Sequence, residues 1–567
     1  MASARASTWL PRTVIRSGAP GPAPTNQTLP TAAFPSGWTA VGRKEERLLQ
    51  RAHLLSVIAA PGAVADTDAS RPAPAAIKAP RRSAGFCWPP PSLSNRRPIL
   101  PASARTPDVL VVGGGAAALA AAIDAAAAGA AVRLLDAAPP ALLGGNTRHS
   151  RNFRYTHDAP TRWTPDAYTA EELRADLLRA SGGAADPALL SALAEHSREL
   201  PGWLGAQGVA LQRPAQGPLP YSRKTAFFLG GGRAAVRALA DRALALGVEM
   251  TPSCGAHALV RDGRRVTAAV TALGTLSAGA YVLACGGAHA DPVRLAQHWG
   301  EAAAGFVNRG TPHARGELLH WLLAAGAASA GDPAGLYLVA VDGRSPAADG
   351  GIVTRIRGMP LGVVVDRDGR RRHDEGADTA STRYSRWGQR LAAYPAQTAW
   401  LVLDAAGLRA APAALYPPIQ AASIDALAAA AGIDAAGLAA TLAGYNASAR
   451  PGADPDAAAG WRTAELDPPK SAHARPLVEP PFAAYPMRPG VTFAHHGIAV
   501  DARTRVAWAD GGHLDNTFAA GMIMAANLIP RGYLSGLAVS ISLVFGRIAG
   551  TQAVQAAGRS GADHGSH

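Results

Sequence analysis

The chain has 567 residues, more than one compact core holds, so two or more domains are expected. Hydrophobic residues make up 48% of it, enough to bury sizeable cores, and a net charge of +14 at first favours an acidic partner. That charge is uneven: residues 1–105 hold 14 Lys and Arg against 4 Asp and Glu, leaving +4 for the other 462 residues. The body has no basic stripe interleaved with stacking aromatics, which speaks against a nucleic-acid partner.

Residues 1–105 are rich in Pro, Ala, Ser and Arg and keep no period, so they read as a disordered leader. The acid-poor start before Glu45 mimics an organellar transit peptide, but an over-extended start is the favoured reading. Structure is expected to begin at Asp108. "DVLVV" (108–112) reads as a buried parallel strand, "GGGAAALAAAIDAAAAG" as a helix stopping at Gly129, and "AVRLLD" (131–136) as a second strand. Further strands are expected at Tyr281–Cys285 and Leu361–Asp366, with a hairpin turn at Asp368-Gly369. "NTFAAGM" (516–522) reads as a late strand, the C-terminal stretch as a helix, and residues 557–567 as a flexible tail. There are no internal repeats. Cys87, Cys254 and Cys285 make neither a disulfide framework nor a zinc site, so a reducing compartment and no metal are expected. No apolar run reaches the roughly 18 residues of a spanning helix. Asp124 and Arg133 break one candidate, and the run from Leu534 to Phe545 is short and carries serines, so the body reads as soluble.

Gly113-x-Gly115-x-x-Ala118 lies directly after a strand and opens a helix. Gly113 allows the tight turn, Gly115 lets the backbone approach a pyrophosphate, and Ala118 lets helix pack on sheet. The helix N-terminus then offers N–H groups and a positive dipole end to that pyrophosphate. Asp136, 23 residues after Gly113, ends the second strand where a ribose-binding acid belongs. The expected architecture is therefore α/β and Rossmann-like.

Gly144-Gly145-Asn146-Thr147 after the second strand, "YVLACGG" (281–287) and "NTFAAGM" together resemble the FAD-dependent fumarate reductase/succinate dehydrogenase flavoprotein superfamily over residues 106–556. Within it, several blocks in order resemble the tricarballylate dehydrogenase flavoproteins. They are "GGNTRHSRNFRYTHDAP" (144–160), "TAFFLGGGRA" (225–234), "ADGGIVTRI" (348–356), "LGVVVDRDGRRRHDEG" (361–376), "RYSRWG" (383–388) and "AANLIPRGYLSG" to "FGRIAG" (525–550). The resemblance implies an FAD-binding domain in two segments, 106–338 and 491–556, with an inserted α+β cap at 339–490. It implies non-covalent FAD, oxidation of tricarballylate to cis-aconitate, and a membrane-associated Fe–S/haem partner that takes the electrons. The protein would then be cytoplasmic, peripheral to the inner membrane through that partner.

Desaturating an acid beside its carboxylate removes an α-proton and a β-hydride, and arginines stabilise the charge that spreads onto the carboxylate. A polycarboxylate therefore wants several Arg or His groups. Arg148, Arg151 and Arg154 recur every third residue and would share one face of a helical turn, a candidate acid-binding wall. Arg355 and Arg357 would face one side if extended, as a carboxylate clamp. The resemblance makes Arg383 the proton-transfer group, helped by Glu375, and Arg531 a carboxylate ligand. It places Tyr533 where fumarate reductases have a substrate arginine and 3-ketosteroid dehydrogenases a ketone-polarising tyrosine. Of the pair His495-His496, His496 is preferred as a substrate ligand. Solvated faces and surface ion pairs are the plain alternative for the arginines, packing in the core at a helix start for Tyr533, and a place behind the substrate's direct ligands for His496. FAD contacts are implied for Gly144, Gly145, Asn146, Thr147, Gly286 and Gly521, and for the helix start at Leu537 and Ala538. Covalent attachment through His149 is rejected, because the attaching His of succinate dehydrogenases lies nearer Asn146-Thr147. Met522 departs from the usual Glu, which removes one cofactor hydrogen bond, about 1 kcal/mol. The competing readings are a fumarate reductase-like or 3-ketosteroid dehydrogenase-like enzyme, or a flavin-binding protein without catalysis. The many arginines disfavour the ketosteroid reading, and the lack of His near Val341-Asp342 disfavours the fumarate reading.

Overall fold

The computed structural model describes residues 106–213, 224–379 and 383–558. The expected leader, most of the expected tail and Cys87 lie outside them. The first sheet starts where the sequence places it. Strand β1 (Val109–Val112) is wholly buried, as a parallel strand covered on both faces must be. Helix α1 (Ala116–Ala127) follows, then β2 (Val132–Leu135), in parallel register with β1 from Val109↔Val132 to Val112↔Leu135. Strands β3 (Glu249–Thr251) and β4 (Ala280–Leu283) extend the sheet in parallel on either side, next to β2 and β1.

The chain then builds a second sheet. Its main strands are β5 (Ser329–Asp342), β6 (Val363–Val365), β7 (Ala399–Leu403) and β8 (Phe482–Ile498), with helix α2 (Arg383–Ala392) between β6 and β7. β8 is the spine, pairing antiparallel with both β5 and β7. Its partners include Val307–Asn308, and β8 runs to Ile498. The second sheet therefore begins before and ends after the 339–490 span assigned to a cap, because β5 and β8 stay paired from Asp342↔Met487 back to Ser329↔Ile498. After β6 the chain turns back at Asp366–Gly369, and Val365 bridges Arg371, the hairpin expected there. β9 (Gly512–Ala519) returns to the first sheet beside β4, in parallel from Tyr281↔Thr517 to Leu283↔Ala519.

The chain closes on α3 (Leu537–Ala556), which packs along α1. By length and composition alone α3 can cross a membrane, contrary to the count of apolar runs above, but two thirds of its apolar window is buried inside the protein. It is a core helix. Its closeness to α1 depends on missing side chains. A Cβ at Gly546 would press on the backbone of Ala117, and one at Gly550 on the backbone of Ala121. Backbone cannot yield as a flexible side chain can, so overpacking here moves a whole helix. Gly550→Val is expected to destabilise the protein by about 1–3 kcal/mol or more, seen as a lower urea midpoint with an unchanged slope. An unchanged midpoint would contradict the contact.

Candidate active site

Two adjoining cavities meet at Asn146, Thr147, Met522 and Ser542. The first lies at the C-terminal ends of β1, β2 and β4, the usual place for ligands on an open parallel sheet. Gly113 turns there with φ +125°, and a Cβ on it would strike the carbonyl of Ala284. Gly115 is different: the nearest atom to its missing Cβ is Thr147 Oγ1 at 3.6 Å, so protein packing does not demand glycine there. The open space serves a ligand approaching the backbone. Ala118 is fully buried between helix and sheet. Gly286 (φ +81°) and Gly521 (φ +78°) complete the turns around this cavity.

Asp136 supplies its polar contact. Its Oδ1 accepts from Ala138 N at 3.2 Å, while Oδ2 is buried without a protein partner, and burial raises its pKa. A buried carboxylate oxygen left alone is costly, and a ribose hydroxyl would satisfy it. Gly114, which the fingerprint leaves unspecified, is needed for this: a Cβ there would run into the Asp136 carboxylate. Its only signal in the sequence is that it is the middle glycine of "GGG".

Asn146 and Thr147 shape the junction mainly through bonds to backbone. Thr147 Oγ1 accepts from Ala116 N at 3.0 Å. Asn146 Oδ1 accepts from Thr311 N at 2.8 Å, and its Nδ2 donates to Thr492 O at 2.7 Å and faces His289 Nε2 at 3.2 Å. Gly144 (φ +108°) and Gly145 (φ +49°) turn the chain into this corner, and a Cβ on Gly144 would collide with Val236. Met522 lines both cavities.

The second cavity lies between the start of α3, at Leu537 and Ala538, and the second sheet. Arg151, Arg309 and Arg355 line it, with Tyr337, Tyr384 and Tyr533. Tyr533 stacks on Tyr337 at 4.3 Å, and Arg355 lies over the Tyr384 ring at 4.5 Å. Burial, then Tyr533, raises the pKa of Tyr384, so it stays a protonated donor. Arg309 is buried; its Nε donates to Gly351 O at 3.2 Å and its Nη1 to Thr492 Oγ1 at 2.6 Å. Burial, then Arg355, pushes its pKa down to about 10. Just behind, Arg357 is held below the ordinary arginine value by burial and then by Arg355, Arg151 and Arg383. Among the described residues no carboxylate pairs with Arg309, Arg355 or Arg357. Clustered guanidinium groups without a protein acid fit an anionic ligand.

Several expected site residues lie elsewhere. Arg148, Arg151 and Arg154 do not share a face, because the 3-10 turn Gly145–His149 ends before Arg151 and a strand starts at Asn152. Arg148 is buried on Asp349, and Arg154 binds Ser535 O and Tyr168. Only Arg151 reaches the cavity. Arg355 and Arg357 do not form a clamp either, since Arg355 alone lines the wall. Arg383 starts α2 outside the wall, its Nε donating to Arg357 O at 2.8 Å and its Nη1 to Thr379 O at 3.0 Å. Glu375 does not assist it, being buried on Arg371. Arg531 donates to the carbonyls of Ser181 and Gly182 and so caps the helix Ala170–Ser181. His496 sits between Arg294 and Ser329, and His495 on Ile529 O, both off the cavity. Arg309, Tyr337 and Tyr384 were not singled out from the sequence, where no motif marks them.

Comparison with known proteins agrees with this layout. The FAD binding domain family matches residues 108–536. Fumarate reductase (cytochrome) of Shewanella frigidimarina is 25% identical over 438 residues, covering 73% of this chain and 71% of that protein. The open conformation of a flavocytochrome c3 fumarate reductase superposes with a TM-score of 0.64 at 23% identity, covering 80% and 79% of the two chains. A 3-ketosteroid delta1-dehydrogenase from Sterolibacterium denitrificans, solved with 1,4-androstadiene-3,17-dione, gives 0.63 at 18% identity, covering 80% and 99%. These two structural likenesses show the fold. FAD is the cofactor, and the glycine-lined first cavity with the lone Asp136 oxygen fits its nucleotide half. Asp136→Ala is expected to weaken FAD binding roughly 10- to 150-fold, the loss of about 1.5–3 kcal/mol for a charged hydrogen bond, in a fluorescence titration of the apoprotein. An unchanged affinity would remove Asp136 from the site. The chain belongs to the FAD binding domain family and is a flavoprotein.

Proposed function

We propose that this protein is an FAD-dependent dehydrogenase that oxidises tricarballylate to cis-aconitate. The observation that carries this reading is the set of guanidinium groups around the second cavity, Arg151, Arg309 and Arg355, with Arg357 behind them. Three carboxylates on one small substrate match that positive charge. Bound FAD supplies a two-electron acceptor for the hydride. Arg309, fixed by Gly351 and Thr492, is pre-set to take a carboxylate and to hold the charge that grows on it as the α-proton leaves. Tyr384 and Tyr533 add hydroxyl donors to the same wall. The second sheet and its helices act as the substrate-side cap. FAD is held without a covalent bond, and His149 is engaged with Asp349. A separate membrane-associated Fe–S or haem protein takes the electrons, and the enzyme works in the cytoplasm at the inner membrane. Relatives of this fold include the menaquinol-bound quinol-fumarate reductase, which supports an electron-transfer partner.

A second reading has its own support. The stacked pair Tyr337–Tyr533, with Phe493, Ile529 and Leu534 on the same wall, would suit an apolar ketone such as a 3-ketosteroid. The two readings separate in one experiment. The holoenzyme is mixed anaerobically with tricarballylate, succinate, fumarate (after reduction) or 4-androstene-3,17-dione, and flavin absorbance is followed. Tricarballylate is expected to bleach the flavin, and bleaching by the steroid alone would overturn the proposal. Arg309→Met should weaken tricarballylate binding by roughly 10- to 150-fold, as loss of a charged hydrogen bond predicts. Arg531→Met should leave it within about threefold, because Arg531 only caps a helix. Equal losses in both variants would contradict the assignment of the wall.

A further inference from the structure

The second cavity is lined by polar groups of many kinds, but among the described residues none of them is Asp or Glu. Its arginines are permanently protonated. Burial holds the Tyr337 and Tyr384 hydroxyls above the ordinary phenol value. Amides and aliphatic hydroxyls are not bases near neutral pH. Among the described residues of the wall, His149 alone carries an imidazole, whose neutral form has a nitrogen lone pair that can accept a proton.

The geometry points to His149 as the proton acceptor of the reaction, with Asp349 as its positioning residue. This assignment rests on the dehydrogenase reading above. His149 closes the 3-10 turn Gly145–His149, and its Nε2 lies 2.5 Å from Asp349 Oδ1. The other carboxylate oxygen, Oδ2, takes Nη2 of the buried Arg148. Burial alone would raise the pKa of Asp349, but hydrogen bonds from His149 and Arg148 hold it below the usual value, so it remains an ionised acceptor. An ionised Asp349 requires the proton of neutral His149 on Nε2. The lone pair is then on Nδ1, which has no hydrogen-bond partner among the described residues. A His–Asp pair arranged in this way fixes the ring and stabilises the imidazolium once it forms.

The loop opposite is cut to fit. Gly351 takes φ +68°, and a Cβ on it would lie 2.7 Å from His149 Nδ1. The carbonyl of Gly351 is also the group that receives Arg309 Nε. One residue thus sits beside the basic nitrogen and anchors the arginine that takes a carboxylate. In the reaction, the C–H bond α to that carboxylate breaks and its proton forms the N–H bond on Nδ1. The hydrogen on the neighbouring carbon would leave with its bonding pair, for which bound FAD would supply the two-electron acceptor, and the C=C bond would form between the two carbons. The proton would then be on the imidazole of His149, and the two electrons accounted for by the cofactor.

The experiment uses full-length holoenzyme in anaerobic stopped flow, with tricarballylate and the same panel of substrates. For His149→Gln and His149→Ala, flavin reduction should slow by at least about 100-fold, the lower end for a general base. FAD should be retained, and the Kd for the acid should stay within about fivefold. Added imidazole should restore reduction in His149→Ala in proportion to its free-base concentration, which a merely structural role would not produce. Asp349→Asn should slow reduction without changing Kd. It should also leave His149→Ala no slower, because the two act as one unit. Reduction of both His149 variants within threefold of wild type, or a loss confined to Kd, would overturn the assignment. If wild type is bleached by another compound of the panel and not by tricarballylate, the proposed substrate fails. The His149 assignment is then decided by the same variants with that compound. A wild type bleached by none of them overturns both.

Discussion

The contact between α1 and α3 holds the site together. Gly546 and Gly550 let α3 lie against the backbone of Ala117 and Ala121, so the first and last helices of the described residues are laid side by side. Each opens onto a different cavity. α1 begins beside the glycines of the first cavity, and α3 begins at Leu537 and Ala538 on the second. Two helix N-termini, each a source of positive potential, are therefore set by one close packing. The residues that make it are among the smallest available.

The second sheet depends on the first through its longest strands. β5 and β8 stay paired over most of their length, so the cavity wall carrying Tyr337, Thr492 and Phe493 is continuous with the part of β8 that approaches the first sheet. The arginines are delivered from three places: Arg151 from the turn after β2, Arg309 from the start of the second sheet, and Arg355 from the loop after β5. Their mutual repulsion opposes folding unless an anion or solvent screens it. Charge of this kind marks binding sites more often than it stabilises folds.

Much of this was legible in the sequence. The run from Asp108 to Asp136 has a strand, a helix and a strand with glycines at each required turn, and every part of that pattern is local. The return of residues 516–519 to the sheet was also readable, because "NTFAAGM" reads as a short strand ending on a small residue and a glycine. The side chains of the second cavity's wall were harder to read, because their fates are decided at long range. Arg148 and Arg151 look alike in sequence, yet Asp349, about 200 residues on, claims the first and leaves the second at the cavity. Arg531 stands beside the site in sequence and is drawn off by the carbonyls that end a helix at Ser181. Periodicity failed at residues 148–154 because a helical turn gives way to a strand within three residues. Arg309 carries no local pattern, and only its bonds to Gly351 and Thr492 reveal it.

The amide of Asn146 has a consequence for protonation. Thr311 N–H must meet an oxygen and Thr492 O must meet a donor, so the amide can face only one way. Its Nδ2 therefore presents a hydrogen to His289 Nε2, which must act as an acceptor. The imidazole proton of His289 is then confined to Nδ1, which is buried without a protein partner. Burial also pushes the pKa of His289 down to about 4. At neutral pH this ring is thus a single tautomer, uncharged, with its one N–H fixed in place, and the choice is made by two backbone groups that never touch it.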